Sequence, residues 1–261
     1  MVDSNFSSLH VQPLYPAVKQ ETIIGLIVPS NDNLTELELR KMLDTHTVSF
    51  SATRFKHEEA ESTNDAVDSL RRHQNGIAEA ATFFEPPGDV NVFVYACTSG
   101  SAIISQDRLE QELHRVRPNA LLTSPMTGAL RAFERLGTKS VSMLTPYVDE
   151  VGALVADCVE KSGVAVRDAV SFHCLTGPEI FSISPESIYE AASAIDLSNS
   201  DALFIPCTFL RTLSVIDRLE DRLGKPVVTA HQAMLWDALR LVDYQEPISG
   251  FGRLLTMTGR A

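Results

Sequence analysis

Apolar and polar positions alternate along this chain in two different periods. TIIGLIV (Thr22 to Val28) is a continuous apolar run of strand length, followed by polar residues and a helical pattern through LTELELRKML. HTVSFSATRF predicts a second strand, and the stretch from His57 to Phe84 predicts one long helix with Ala and Leu on one face. NVFVYA and NALLT predict two more strands, followed by helices through IISQDRLEQELHRV and through MTGALRAFERLG, the last stopping at Gly137. Continuous apolar strands separated by amphipathic helices indicate a parallel sheet covered on both faces.

The pattern then begins again. KSVSMLTPYVDEVGALVADCVEKSG repeats strand, proline turn and helix, with Leu144-Thr145-Pro146-Tyr147 standing where Ile27-Val28-Pro29-Ser30 stood. VAVRDAVSFH answers the second strand, DALFIPCTFLRTLSVIDRLEDRLG answers the third strand with its helix, and KPVVTAHQAMLWDALRL answers the fourth. Self-similarity between halves implies two structural units. The expected fold is therefore α/β, with two pseudo-symmetric doubly wound lobes at roughly residues 20–138 and 139–245. Each lobe should hold a four-stranded, mainly parallel sheet, with the tail packing back on the lobes and a site in the cleft between them.

Composition narrows the function classes. With 22 Lys and Arg against 34 Asp and Glu, the net charge is -12. A field of that sign argues against nucleic-acid binding, although a pocket for a small anion feels only its local field. No apolar stretch approaches the ~20 residues that a membrane span needs. The start of the chain lacks a basic segment followed by an apolar core, so cytoplasmic localisation with reduced thiols is expected. No glycine-rich nucleotide motif occurs and no His/Cys spacing suggests a metal site, so the expectation is no cofactor and no metal. A homo-oligomer remains open.

The repeat gives two of the four cysteines weight. Cys97 and Cys207 end equivalent strands, each followed by threonine, whereas Cys158 and Cys174 read as packing residues. Ligands in open parallel sheets sit beyond the carboxyl ends of the strands, so the two thiols should meet across one cleft. Thr98, Ser99 and Thr208 would then place N–H groups and a capping hydroxyl at helix N-termini. Such ends lower a thiol pKa and hold a carboxylate. Two thiols on opposite faces of one carbon suit racemisation, epimerisation or isomerisation without a cofactor. His231 reads either as a cleft donor or as a surface residue at a helix start, and Arg211 either as a carboxylate partner or as a solvated charge.

IGLIVPS, YACTSGS, LTPYVDE, ISPES, CTFLRT and KPVVTAHQAMLWDALRL, in that order, resemble the aspartate/glutamate racemase superfamily, and within it the maleate cis-trans isomerases. The resemblance implies two α/β lobes, catalytic cysteines at Cys97 and Cys207, and a substrate-contacting tyrosine at Tyr147. It also implies a small carboxylate as substrate. Cys97 argues against arylmalonate decarboxylation, which the resemblance assigns to relatives with glycine there. Pro29-Ser30-Asn31-Asp32 stands where maleate isomerases carry PSSN, so Asp32 replaces an amide for which Asn31 or Asn33 could stand in, and Gly177 falls where they carry an asparagine. An aspartate facing a dianion costs affinity and favours a substrate with an ammonium group. The chain is also similar to racemase-like proteins of ectoine breakdown, so an amino-acid racemase is the first alternative. A non-catalytic two-lobed binding protein is the second.

Overall fold

The computed structural model describes residues 22–84 and 90–259. The first two residues of the expected N-terminal lobe and the leader reading of the chain's start lie outside them. In chain order the elements are β1 (Thr22–Pro29), α1 (Thr35–Leu43), β2 (Val48–Phe55), α2 (Thr63–Arg72), α3 (Gln74–Thr82), β3 (Val92–Tyr95), α4 (Thr98–Ile104), α5 (Gln106–His114), β4 (Leu122–Thr123) and α6 (Pro125–Leu136). They continue with β5 (Ser140–Tyr147), α7 (Asp149–Lys161), β6 (Ala165–Cys174), α8 (Gly177–Phe181), α9 (Pro185–Ser193), β7 (Ala202–Ile205), α10 (Ile216–Leu223), β8 (Val227–Thr229), α11 (Ala230–Leu241) and α12 (Arg253–Thr256).

Two four-stranded sheets result, ordered β2-β1-β3-β4 and β6-β5-β7-β8. Every pairing in both is parallel. The period of two along β1 explains how the first sheet is covered. Ile24, Leu26 and Val28 face a core that continues into the second sheet, while Ile27 joins Phe93 and Tyr95 in a separate cluster on the opposite face. Ile77 of α3 and Leu109 and Leu113 of α5 close that cluster. The central strands β3 and β7 are buried along their whole length, as the continuous runs VFVY and ALFI require.

Helices α6 and α11 pack closely. A Cβ at Gly128 would collide with the Ala233 carbonyl, so this crossing needs glycine. Gly137 ends α6 in the left-handed conformation (φ 69°), which glycine adopts without a Cβ penalty. The tail lies on α11: Gln232 Nε2 donates to the Phe251 carbonyl at 2.6 Å and Trp236 Nε1 to that of Met257 at 3.0 Å.

Three expected helices come out differently. The stretch from His57 to Phe84 is a loop followed by two helices, because the chain tightens at His73, whose N–H bonds the Leu70 carbonyl three residues back. The helix after β3 divides at Ser105, whose backbone turns to φ 75°. No helix follows Cys207 directly; its backbone stands at φ 107°, and turns carry the chain as far as α10. Among the described residues no helix is long and apolar enough to cross a membrane.

Candidate active site

Strand order decides where a ligand can sit. Connections reverse direction between β1 and β3 and between β5 and β7, and a crevice opens beyond the carboxyl ends at such a switch point. Asn31 follows β1, Cys97 follows β3, Tyr147 ends β5 and Cys207 follows β7. All four line one cleft with Thr98, Ser99 and Thr208, about 670 Å³ counting the space open to solvent.

The two thiols are held by different backbones. Cys97 is the N-cap residue of α4; its sulfur accepts the Gly100 N–H at 3.4 Å and lies 3.8 Å from Ser99 Oγ. The Cys207 sulfur accepts the Phe209 N–H at 3.4 Å from within a turn. A non-glycine residue at φ 107° carries strain on the order of 1–3 kcal/mol, a cost found chiefly at functional sites. Both thiols are free and buried.

Burial reverses the expected direction of their pKa values. Desolvation raises Cys97 above the ordinary thiol value, and the Gly100 N–H and the Ser99 and Tyr95 hydroxyls pull it part of the way back. Burial pushes Cys207 up to about 12, against the Phe209 N–H. The N–H groups that were expected to bring these thiols toward neutrality are present, but loss of water outweighs them. Without substrate both thiols hold their protons at neutral pH.

The threonines tie the lobes together. Thr98 Oγ1 accepts the Cys207 N–H at 3.2 Å, and Thr208 Oγ1 donates to the Ala96 carbonyl at 3.5 Å. Each hydroxyl therefore reaches the opposite cysteine strand, a reciprocity that follows from the repeat. Tyr147 has a buried hydroxyl that makes no hydrogen bond of ordinary geometry and draws the Cys207 thiol down, and the Asn31 side-chain carbonyl has no protein partner. Unpaired buried polar atoms in a cleft are available to a ligand.

Asp32 does not line the cleft. Its carboxylate accepts the Leu34 and Thr35 N–H groups at 2.8 and 2.9 Å and the Thr35 hydroxyl at 2.6 Å, which anchors the start of α1. His231 is also away from the cleft and is not at the surface. It is buried, with Nε2 3.2 Å from Thr35 Oγ1, and burial lowers its pKa to about 3. Arg211 donates to the Ile183 carbonyl and lies over the Phe181 ring. Cys174, which reads as a packing residue in the sequence, lines the cleft.

Sequence reasoning missed the cleft wall formed by the loop after β2 and the junction of α2 with α3. His57, Glu59 and His73 line it. Glu59 accepts Asn31 Nδ2 at 2.7 Å and the Gly177 N–H at 3.3 Å. A Cβ at Gly177 would stand 3.1 Å from both Asn31 Nδ2 and Glu59 Oε1, so the glycine leaves room for this carboxylate. Among the described residues that line the cleft, Glu59 is the charged one, and none is Lys or Arg. No group of three or more His, Cys, Asp or Glu among the described residues could hold a metal ion.

Two parallel lobes of one topology, with a thiol from each on a shared cleft, define a two-cysteine protein with the racemase-like α/β fold. Comparison with known proteins gives the narrower statement. The chain belongs to the arylmalonate decarboxylase (Amdase) family, whose model matches residues 24–255. It is 25% identical over 242 residues to the maleate isomerase of Alcaligenes faecalis, covering 89% of this chain and 96% of the relative. Against the maleate isomerase of Nocardia farcinica it is 27% identical over 245 residues, covering 89% and 94%. A solved structure of the Nocardia farcinica maleate cis-trans isomerase, a cysteine-to-serine mutant with a covalently bound succinylcysteine intermediate, superposes with a TM-score of 0.80. It is 24% identical, with 91% of this chain and 99% of that one covered.

Proposed function

We propose that this protein is a cofactor-independent isomerase of a small carboxylic acid, of the maleate cis-trans isomerase kind, with Cys97 and Cys207 as its catalytic pair. The observation that carries the reading is the placement of one buried free thiol from each lobe on a single cleft, each sulfur facing a backbone N–H. Cys97, as thiolate, adds to one alkene carbon while Cys207 gives its proton to the neighbouring carbon. The single bond so formed rotates; Cys207 takes the proton back, the C–S bond breaks, and the trans acid leaves. Atoms and charge balance without a cofactor. Tyr147 and Ser99 are proposed to hold the substrate carboxylates through their hydroxyls, and Asn31 through its Nδ2, which Glu59 holds at the cleft wall. Reduced thiols require a reducing compartment, and the cytoplasm is the proposed place of action.

One observation favours a second reading. A cleft with a glutamate and no Lys or Arg on its described walls suits one carboxylate beside a cationic group better than two carboxylates. That is the amino-acid racemase version, in which the thiols exchange a Cα proton from opposite faces. NMR in D2O separates the two. Conversion of maleate to fumarate supports the isomerase, and deuterium entering Cα of an amino acid supports the racemase. Neither signal over a panel of dicarboxylates and amino-acid enantiomers contradicts both.

A further inference from the structure

A row of hydrogen bonds runs from behind Cys97 to the cleft wall. His57 Nδ1 lies 2.7 Å from His73 Nε2, and His73 Nδ1 lies 2.8 Å from the Tyr95 hydroxyl. That hydroxyl and the Cys97 sulfur close on one point beside Gly100, where an added Cβ would meet both. At the other end Glu59 Oε2 stands 3.7 Å from His57 Nε2. Tyr95 and His73 are buried, while Glu59 is 40% exposed at the cleft. The row therefore leads from a buried sulfur to the rim.

One set of tautomers satisfies the row in a single direction. The Tyr95 O–H donates to His73 Nδ1, His73 Nε2–H donates to His57 Nδ1, and His57 Nε2–H points to Glu59. A row aligned in this way can pass a proton. We propose that Tyr95, His73 and His57 are the base for Cys97, taking its proton as the sulfur attacks, with Glu59 stabilising the charge that arrives at His57. The step balances. The Cys97 S–H bond breaks and Tyr95 Oη takes that proton while giving its own to His73 Nδ1; His73 Nε2 gives its proton to His57 Nδ1. The products are a thiolate, a neutral tyrosine now donating to it, a neutral His73 in its other tautomer, and His57 with both nitrogens protonated. Among nucleophile–base–orienter arrangements, this one has two links between thiol and outer base.

Other charges face the row. Arg72 and Glu58 act on His57 along with Glu59, Arg72 acts on His73, and Asp32 acts on Cys97. Burial holds both histidines below their ordinary values, His73 at about 3. They are therefore neutral at pH 7, and the Glu59 and Glu58 carboxylates favour the charge that reaches His57. A resting thiol kept protonated by burial needs such a base at the moment of attack.

This inference rests on Cys97 being the reactive thiol, and its test needs no natural substrate. Alkylation of Cys97 by iodoacetamide is followed by mass spectrometry against pH in the Cys207→Ser protein. His57→Gln, His73→Gln and Tyr95→Phe are each expected to slow it near pH 7 by about 10²-fold, the lower range for a general base, with rates converging at high pH where hydroxide ionises the thiol. His57 borders the loop, so its variant should fold even where Tyr95→Phe does not, and thermal melting checks this. Added imidazole is expected to restore part of the rate in His57→Gly. Folded His57→Gln and His73→Gln proteins that react at the parent rate across the pH range would overturn the proposal. If the row dependence holds but no acid is isomerised, the proposed function fails and this inference stands.

Discussion

Cys97 and Cys207 end equivalent strands, yet their surroundings assign them different work. Cys97 caps a helix and adjoins hydroxyls, while Cys207 sits in a strained turn and burial takes it to about 12. A raised thiol pKa means that thiolate forms only at higher pH, which fits the proposed part of Cys207 as proton donor. In the Cys97→Ser protein, alkylation of Cys207 is expected to be slow at pH 7 and still rising at pH 10. A plateau below pH 8 would contradict the assignment. At this scale the sequence showed which residues end the strands, and so showed Cys97, Cys207, Asn31 and Tyr147. It misplaced Asp32, because a carboxylate two or three residues before a helix bonds that helix's own N–H groups. His57, His73 and Glu59 stayed hidden, since they meet Tyr95 and Gly177 only when distant segments fold together.

At the scale of elements, the strand pattern was legible because buried parallel strands are written as unbroken apolar runs. The repeat of the proline turn and the Cys-Thr pair carried the two-sheet topology. The errors fell where the backbone departs from helix for reasons local sequence does not state, at His73, Ser105 and Cys207. The α6–α11 crossing is a further case: Gly128 sits inside a helix, where its propensity cost hides its purpose. Gly128→Ala should destabilise the fold by roughly 1–3 kcal/mol through overpacking against the Ala233 carbonyl, read from urea denaturation. An unchanged midpoint would mean that the helices are not in contact there.

For the whole molecule, two buried neutral histidines make stability depend on pH. His73 and His231 have folded pKa values of about 3, against 6.5 for a free side chain. Between these values the unfolded chain binds more protons, so stability rises with pH and is lost as pH falls below about 6.5. Each histidine contributes on the order of 1 kcal/mol per pH unit in that window. The melting temperature should therefore drop between pH 7 and 5, and His231→Gln should flatten the slope. An equal slope in that variant would show that His231 is charged or exposed. The same burial that keeps these groups neutral holds the two sheets around one core and brings a thiol from each to the cleft.

The central claim is that the two thiols divide one reaction between them. The most direct measurement incubates the Cys207→Ser and Cys97→Ser proteins with maleate, and reads both turnover by NMR and intact mass followed by peptide mapping. The account predicts that each substitution lowers turnover by a factor of about 10² or more, and that one maleate unit becomes attached to Cys97 in the Cys207→Ser protein alone. Attachment at Cys207 in the Cys97→Ser protein would reverse the roles. Near-normal turnover in either single variant would contradict the paired-thiol account.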